Sequence, residues 1–326
     1  HHPGEWLDTV PSRDGDYLRE PDQHGHDCDH DGYDDAGRGR DYRQQDACRE
    51  WHCHGAEDCS TGLDYQRYRS VVSQQQVLVS YPWRQIIVAS ADFDGTNDFM
   101  TRGAGLTGAS DDDIGILSFW ARFDAGTGGQ IILDGDTVLG GGANPRVQVN
   151  RATSSGVVSI LGYNLAGTNI LDLRTTSTFS AGTSWWHFLA SWDLSAAATH
   201  FYVNDASDKN AVTVTSSAID YTLADWGIGA SPSGGNKFDG CLSEVYFAPN
   251  QFLDFSTESN RRKFISAIGK PVSLGTDGST PTGVAPLVYQ RLAGGEAVAN
   301  FATNRGTGGD FTITGTLTVG STSPSD

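Results

Sequence analysis

Apolar and polar side chains alternate through the middle of the chain. Leu117, Phe119, Ala121 and Phe123 are interleaved with Ser118, Trp120, Arg122 and Asp124, and Trp186, Phe188, Ala190 and Trp192 with His187, Leu189, Ser191 and Asp193. A period of two places the two sets on opposite faces of a β-strand. Shorter runs of the same kind occupy 129–133, 146–149, 157–160, 170–173, 199–203 and 238–247. Clusters of Gly, Asn, Asp and Ser separate them, as in Asp134-Gly135-Asp136 and Gly140-Gly141-Gly142-Ala143-Asn144-Pro145, and these predict turns. Many short, evenly spaced strands with glycine-rich turns predict an all-β fold, an antiparallel sandwich over residues 91–270.

A single helix interrupts this pattern. Ser256 is placed to cap it, Glu258 lies in its first turn, Phe264, Ile265 and Ile268 form its apolar stripe, and Gly269 and Pro271 end it. Residues 271–326 then form a Gly/Thr/Ser-rich extension, whose segment 311–318 reads as one or two strands or as part of an extended linker.

Composition changes sharply near residue 90. The first ninety residues hold seven of the nine His and four of the five Cys but no Lys, Asn, Phe or Met, whereas all fourteen Phe lie beyond them. Residues 1–90 are therefore set apart as an N-terminal arm, with three readings open. It is a polar, extended or β-rich arm with too little apolar surface to fold alone. It is a metal module using His24, His26, Cys28, His30, Cys48, His52, Cys53, His54 and Cys59, although their spacings match no paired Cys-x2-Cys knuckle. Or it is translated out of register, because a one-base slide turns Asp, His and Tyr codons into Thr, Ile or Met codons and yields a strand-forming stretch. The chain opens His1-His2-Pro3 without a Met or a signal-peptide pattern, which reads as a processed or truncated start.

The formal charge of −18 disfavours nucleic acid and anionic membranes, which reward clustered Lys and Arg. The apolar runs are far too short for a membrane span.

Five segments then resemble, in order, a known family. They are Phe93-Asp94-Gly95-Thr96-Asn97-Asp98-Phe99, Leu117-Ser118-Phe119-Trp120, Trp185-Trp186-His187-Phe188, Phe201-Tyr202-Val203-Asn204-Asp205, and Phe238-Asp239-Gly240-Cys241-Leu242-Ser243-Glu244-Val245-Tyr246-Phe247. Together they are similar to laminin-G-like, concanavalin A-like lectin/glucanase domains, which implies a jelly roll over about residues 91–270. The run from Lys270 to Gly283 further resembles the continuation found in tailed-bacteriophage virion versions of this domain.

Catalytic constellations are not evident. Glycosidases on this scaffold use paired carboxylates, typically Glu-x-Asp-x-x-Glu, whereas Glu244, Glu258 and Glu296 are the three Glu beyond residue 90 and none has a partner at that spacing. Glu244 reads as a structural strand residue. His187 and His200 lack a nucleophile elbow, and no phosphate loop occurs. Calcium is the one cofactor with a physical case: Asp94, Asn97 and Asp98 crowd one turn, and the resemblance brings Asp239 beside them. The competing reading is a hydrogen-bonded Asx turn without metal. Trp120, Tyr163, Trp185, Tyr202 and Trp226 are candidate sugar-stacking aromatics.

The expected function is a non-enzymatic virion surface protein of a tailed phage, a fibre, spike or capsid-decorating subunit. Its partners would be other virion proteins and host or environmental glycans, and by analogy it would be a homo-oligomer, such as a trimer. Its location would be the virion surface or another extracellular site. The alternatives are a secreted bacterial carbohydrate-binding module, a purely structural capsid-cementing protein and, last, a glycoside hydrolase.

Overall fold

A computed structural model describes residues 86–124, 129–136, 146–152 and 154–326. Of the N-terminal arm (1–90), residues 1–85, the candidate ligand set included, lie outside the described ones, as does the turn at 140–145; residues 86–90 join the sandwich, with Val88 buried and bridged to Ala293 and the Ala89 amide donating to the Leu292 carbonyl.

The strands in chain order are β1 (Ala91–Asp94), β2 (Phe99–Arg102), β3 (Ile114–Phe123), β4 (Gln130–Asp136), β5 (Arg146–Arg151), β6 (Val158–Tyr163), β7 (Asn169–Arg174), β8 (Trp186–Asp193), β9 (Ala198–Val203), β10 (Ala206–Ser207), β11 (Asn210–Val214), β12 (Asp225–Ile228), β13 (Asp239–Pro249), β14 (Val288–Gln290), β15 (Thr312–Thr314) and β16 (Thr318–Val319). They form two antiparallel sheets, ordered β10-β9-β8-β3-β13-β1-β16, with β14 also on β13, and β11-β7-β6-β5-β4-β12-β2-β15. This is the predicted jelly-roll sandwich.

The alternation has the expected consequence. Phe119, Phe123, Phe188 and Phe201 of the first sheet meet Leu133, Val149, Ile160, Leu171 and Trp226 of the second in one buried cluster. Phe119 and Phe188, paired in register, stack with ring centroids 4.9 Å apart. Much of the opposite set on the first sheet is also buried. Ile116, Leu189 and Tyr246 lie in a second cluster under Phe255, Phe264, Val272, Leu274 and Tyr289. The chain after β13 thus covers the sheet's outer face.

Three local expectations change. Asp134-Gly135-Asp136 lies inside β4 rather than at a turn; a Cβ on Gly135 would stand 2.7 Å from Leu223 Cδ1 and 2.9 Å from the Trp226 ring, so this glycine makes room for the core. The helix shrinks to α1 (Glu258–Arg261), capped by Thr257 without a side-chain hydrogen bond rather than by Ser256. Phe264 and Ile265 are buried, but Ile268 is 73% exposed, because the chain has left the helix for a turn before reaching it.

The third change concerns residues 271–326, which belong to the sandwich rather than extending from it. β15 pairs with β2 and β16 with β1, so the last strands complete both sheets. Asn304 pins this segment: its Oδ1 accepts from the Tyr289 and Gly306 amides, and its Nδ2 donates to the Leu287 and Gly309 carbonyls. Where β13 exchanges β1 for β14 as a neighbour, its register with β3 shifts between Ser243 and Tyr246, and Glu244 adopts φ +50°. Glu244 is buried; Tyr289 Oη donates to its Oε2 at 2.7 Å, and Arg291 Nε lies 3.6 Å from Oε1. Burial outweighs these partners and pushes the Glu244 carboxyl up to about 7.

Candidate functional site

The turn expected to hold calcium is an Asx turn. Asp94 Oδ1 accepts from the amides of Thr96, Asn97 and Asp98, and these bonds hold its carboxyl below the usual range, with that from Asn97 the largest cause. Asp98 is buried, and its Oδ1 accepts from Thr316 N at 2.6 Å. Gly315, at φ +84°, lies so close that a Cβ there would collide with the Asn97 and Asp98 oxygens. The turn therefore docks the segment that joins β15 to β16. Asp239 pairs with Asp94 in register, under Gly95, and its carboxyl is raised by burial and then by repulsion from Asp124, Asp92 and Asp94.

Among the described residues, the one trio of His, Cys or carboxylate ligand atoms within 4.8 Å of one another is instead Asp92, Asp124 and Cys241. Both Asp124 oxygens are engaged by Arg122, and burial pushes the Cys241 thiol up to about 12 while it donates to Asp92. Calcium wants several oxygens from anions, carbonyls and water. In this structure the Asp94 and Asp98 Oδ1 atoms are taken by backbone amides, while the trio combines a thiol donating to Asp92 with a carboxylate engaged by Arg122.

The five candidate aromatics separate. Trp226 is fully buried and Trp120 is 3% exposed, so both are core residues and unavailable to a sugar ring. Trp226 donates to the Leu223 carbonyl, and Trp120 packs on the His187 ring at 4.6 Å. Tyr202 is half-buried, with the Arg261 guanidinium 4.7 Å over its ring. Trp185 is half-buried and donates to Thr322 Oγ1. Tyr163, half-buried at the end of β6, is an electrostatic neighbour of Arg146. Residue type alone does not reveal which face of a sheet an aromatic ring occupies.

The two histidines are not arranged as bases. His187 is buried, Nε2 within 2.9 Å of Ser118 Oγ, and burial lowers it to about 3. His200 Nε2 lies 3.2 Å from Asp254 Oδ1.

A site that the residue types did not single out lies on the outer face of the second sheet. Val147 and Val149 of β5 are in the core, which turns Arg146, Gln148 and Asn150 outward; Ser159 and Asp172 are turned outward by Val158, Ile160, Leu171 and Leu173 in the same way. These side chains are linked across strands. Arg146 grips Asp134 through Nε and Nη2 at 3.0 and 3.1 Å, Gln148 Nε2 donates to Asp134 Oδ1, and Asn150 Nδ2 donates to Gln148 Oε1. Burial raises the Asp134 carboxyl against the pull of Arg146 and Gln148. A depression of about 190 Å³ opens beside them, lined among others by Gln130, Gln148, Asn150 and Asn236. Gln130 Oε1 is buried without a hydrogen-bond partner. The alternation Arg146-Val147-Gln148-Val149-Asn150 was the signal that could have located this face.

Residues 94–250 match the family model described as the concanavalin A-like lectin/glucanases superfamily, of laminin G type. A search of curated proteins found no match. Among solved structures, a Bacteroides ovatus protein described as a candidate carbohydrate-binding protein is 15% identical, with 72% of this chain and 60% of that one covered at a TM-score of 0.45. This chain thus spans less than two thirds of that protein. The heptameric SAP-like pentraxin of Limulus polyphemus is 13% identical, with 53% and 81% covered at 0.39. Domains LG4-5 of the mouse laminin alpha1 chain are 14% identical, with 52% and 43% covered at 0.35.

Proposed function

We propose that this chain is a non-enzymatic glycan-binding adhesion protein that engages sugar hydroxyls on the outer face of its second sheet. The observation that carries this reading is the hydrogen-bonded pair of amide side chains on β5, Gln148 and Asn150, bordering the depression beside Gln130. Amides present donors and acceptors side by side, as sugar hydroxyls do, and so suit vicinal hydroxyl pairs. The lectin-like fold of residues 94–250 supports the same reading. Recognition without hydrolysis is supported by Asp134, whose two oxygens are occupied by Arg146 and Gln148 rather than left to move a proton.

Display on a tailed-phage particle is the finer part of this proposal, and it rests on the resemblance of the run from Lys270 to Gly283. Among the described residues, no helix is long and apolar enough to cross a membrane.

A glycan array probed with the full chain tests the binding. The expected result is retention of at least one glycan class, weakened about tenfold by Asn150→Ala, the loss of roughly one or two hydrogen bonds. An array blank at millimolar chain concentration overturns the reading. Mass spectrometry of purified particles against culture supernatant separates virion display from secretion.

A further inference from the structure

We infer that Glu244 Oε1, Arg291 Nε and Arg305 Nε, where β13 meets the segment covering the first sheet, hold one small monovalent anion, a halide. All three atoms are buried without a hydrogen-bond partner. Glu244 as a whole is 2% exposed, so its carboxyl has no bulk water to turn to. Native folds leave few such atoms unpaired, and those they do leave mark a water or an ion.

The backbone brings the three together. β14 pairs with β13 so that Val245 faces Gln290, and the next step of the ladder sets Glu244 beside Arg291. Oε1 and Nε there stand 3.6 Å apart, too far for a good hydrogen bond and close enough for one ion to touch both. Arg305 comes in from beyond β14: its amide donates to the Tyr289 carbonyl, and its charge acts on Glu244.

The bonds already made decide what the guest must be. Tyr289 Oη donates to Glu244 Oε2, so a proton on the carboxyl sits on Oε1. Burial raises this carboxyl to about 7, and below that pH the proton is present. Oε1–H, Arg291 Nε–H and Arg305 Nε–H are then donors in want of an acceptor. Water would accept two of the three bonds and bring two hydrogens that need acceptors of their own. An anion accepts all three and brings none.

Charge fixes its valence. Glu296 matches Arg305 through bonds of 3.0 and 2.9 Å, and Tyr289 stays neutral because burial raises it well above its ordinary value. The Arg291 charge is left to match, and a divalent anion would bury an excess. The flanking strands add no charge: Ser118, Phe119 and Trp120 face this stretch from β3, and Ala91 is the nearest pair on β1. The Arg291 and Arg305 side chains remain 19% and 27% exposed, which gives the ion a way in. Proton and anion thus bind as a pair and together clasp β13, the end of β14 and residue 305.

Urea unfolding of the full chain, with chloride replacing gluconate at constant ionic strength from about 10 mM to about 1 M, reads the number of ions bound. At about pH 5.5 the logarithm of the unfolding constant should fall with that of chloride at a slope approaching about one, a single ion released on unfolding. At about pH 8.5, where Glu244 is ionised, the slope should be near zero. Glu244→Gln cannot ionise and still donates through its amide, so its slope should be the same at both pH values, whereas Arg291→Gln should show none at either. Crystals grown in bromide should give an anomalous peak touching Arg291 Nε and Arg305 Nε. A flat wild-type profile at pH 5.5, a slope that survives Arg291→Gln, or a bromide peak absent from these atoms overturns the site. A wild-type slope equal at both pH values overturns the pairing of proton with anion. Should Arg291→Gln not fold, the bromide peak and the Glu244→Gln slopes decide.

Discussion

Glu244 gives the sharpest quantitative expectation. Its carboxyl is fully buried and raised from the ordinary 4.5 to about 7, a difference of about 2.5 units. At 1.36 kcal/mol per unit this amounts to about 3 kcal/mol. The folded chain binds this proton more tightly than the unfolded one, so the stabilisation is fully present below about pH 4.5 and lost as pH rises through about 7. Glu244→Gln cannot ionise but still offers an oxygen to Tyr289 Oη. Urea unfolding of both proteins at intervals from about pH 4 to pH 8 isolates the effect, because every other titrating group is common to the pair and cancels in the difference. The wild type should lose about 3 kcal/mol relative to the variant across that range. Parallel profiles would show that Glu244 ionises as it does in water, and the account of its burial would be wrong.

His187 acts at the other end of the scale: lowered from 6.5 to about 3, it stabilises the fold above pH 6.5 and ceases to as pH falls towards 3. His187→Gln should show a shallower loss of stability on acidification, measured by the same titration. Gly240 has φ +141°, and a Cβ there would meet the Arg122 carbonyl oxygen at 2.1 Å, so Gly240→Ala should cost about 3 kcal/mol or more in thermal unfolding. A chain ending at residue 270 should lose cooperative unfolding and bind a hydrophobic dye, because it lacks Val272, Leu274, Tyr289, β15 and β16. A melt matching that of the full chain would restore residue 270 as a domain boundary.

The sandwich was legible because its strong strands, β3 and β8 above all, carry a period-two pattern that only a sheet satisfies. The weak strands were not. β11, with the sequence Asn210-Ala211-Val212-Thr213-Val214, is largely exposed, and β14 is three residues long; β15 and β16 meet the reading of one or two strands over 311–318, but their partners, far away in sequence, were not legible. Gly135 read as a turn because its sequence neighbours are Asp, whereas the reason for it is the Trp226 ring, ninety-one residues later and adjacent only after folding. Asp94, Asn97 and Asp98 were correctly placed on one turn. What their oxygens bind was hidden, because the decisive donor is Thr316 N, supplied by the segment between β15 and β16. The outer-face amides were overlooked for a related reason: Gln148 and Asn150 border a depression that no single strand encodes.

The dependence of β1 and β2 on β16 and β15 bears on how the molecule is made. On the ribosome the first two strands emerge more than two hundred residues before their partners, so each sheet waits with an unsatisfied border until residues 312–319 have been made. Such late closure slows folding and leaves a sticky margin on the nascent chain. A copy released before residue 312 would be open along both borders, and one released between residues 315 and 317 along that of β1 alone.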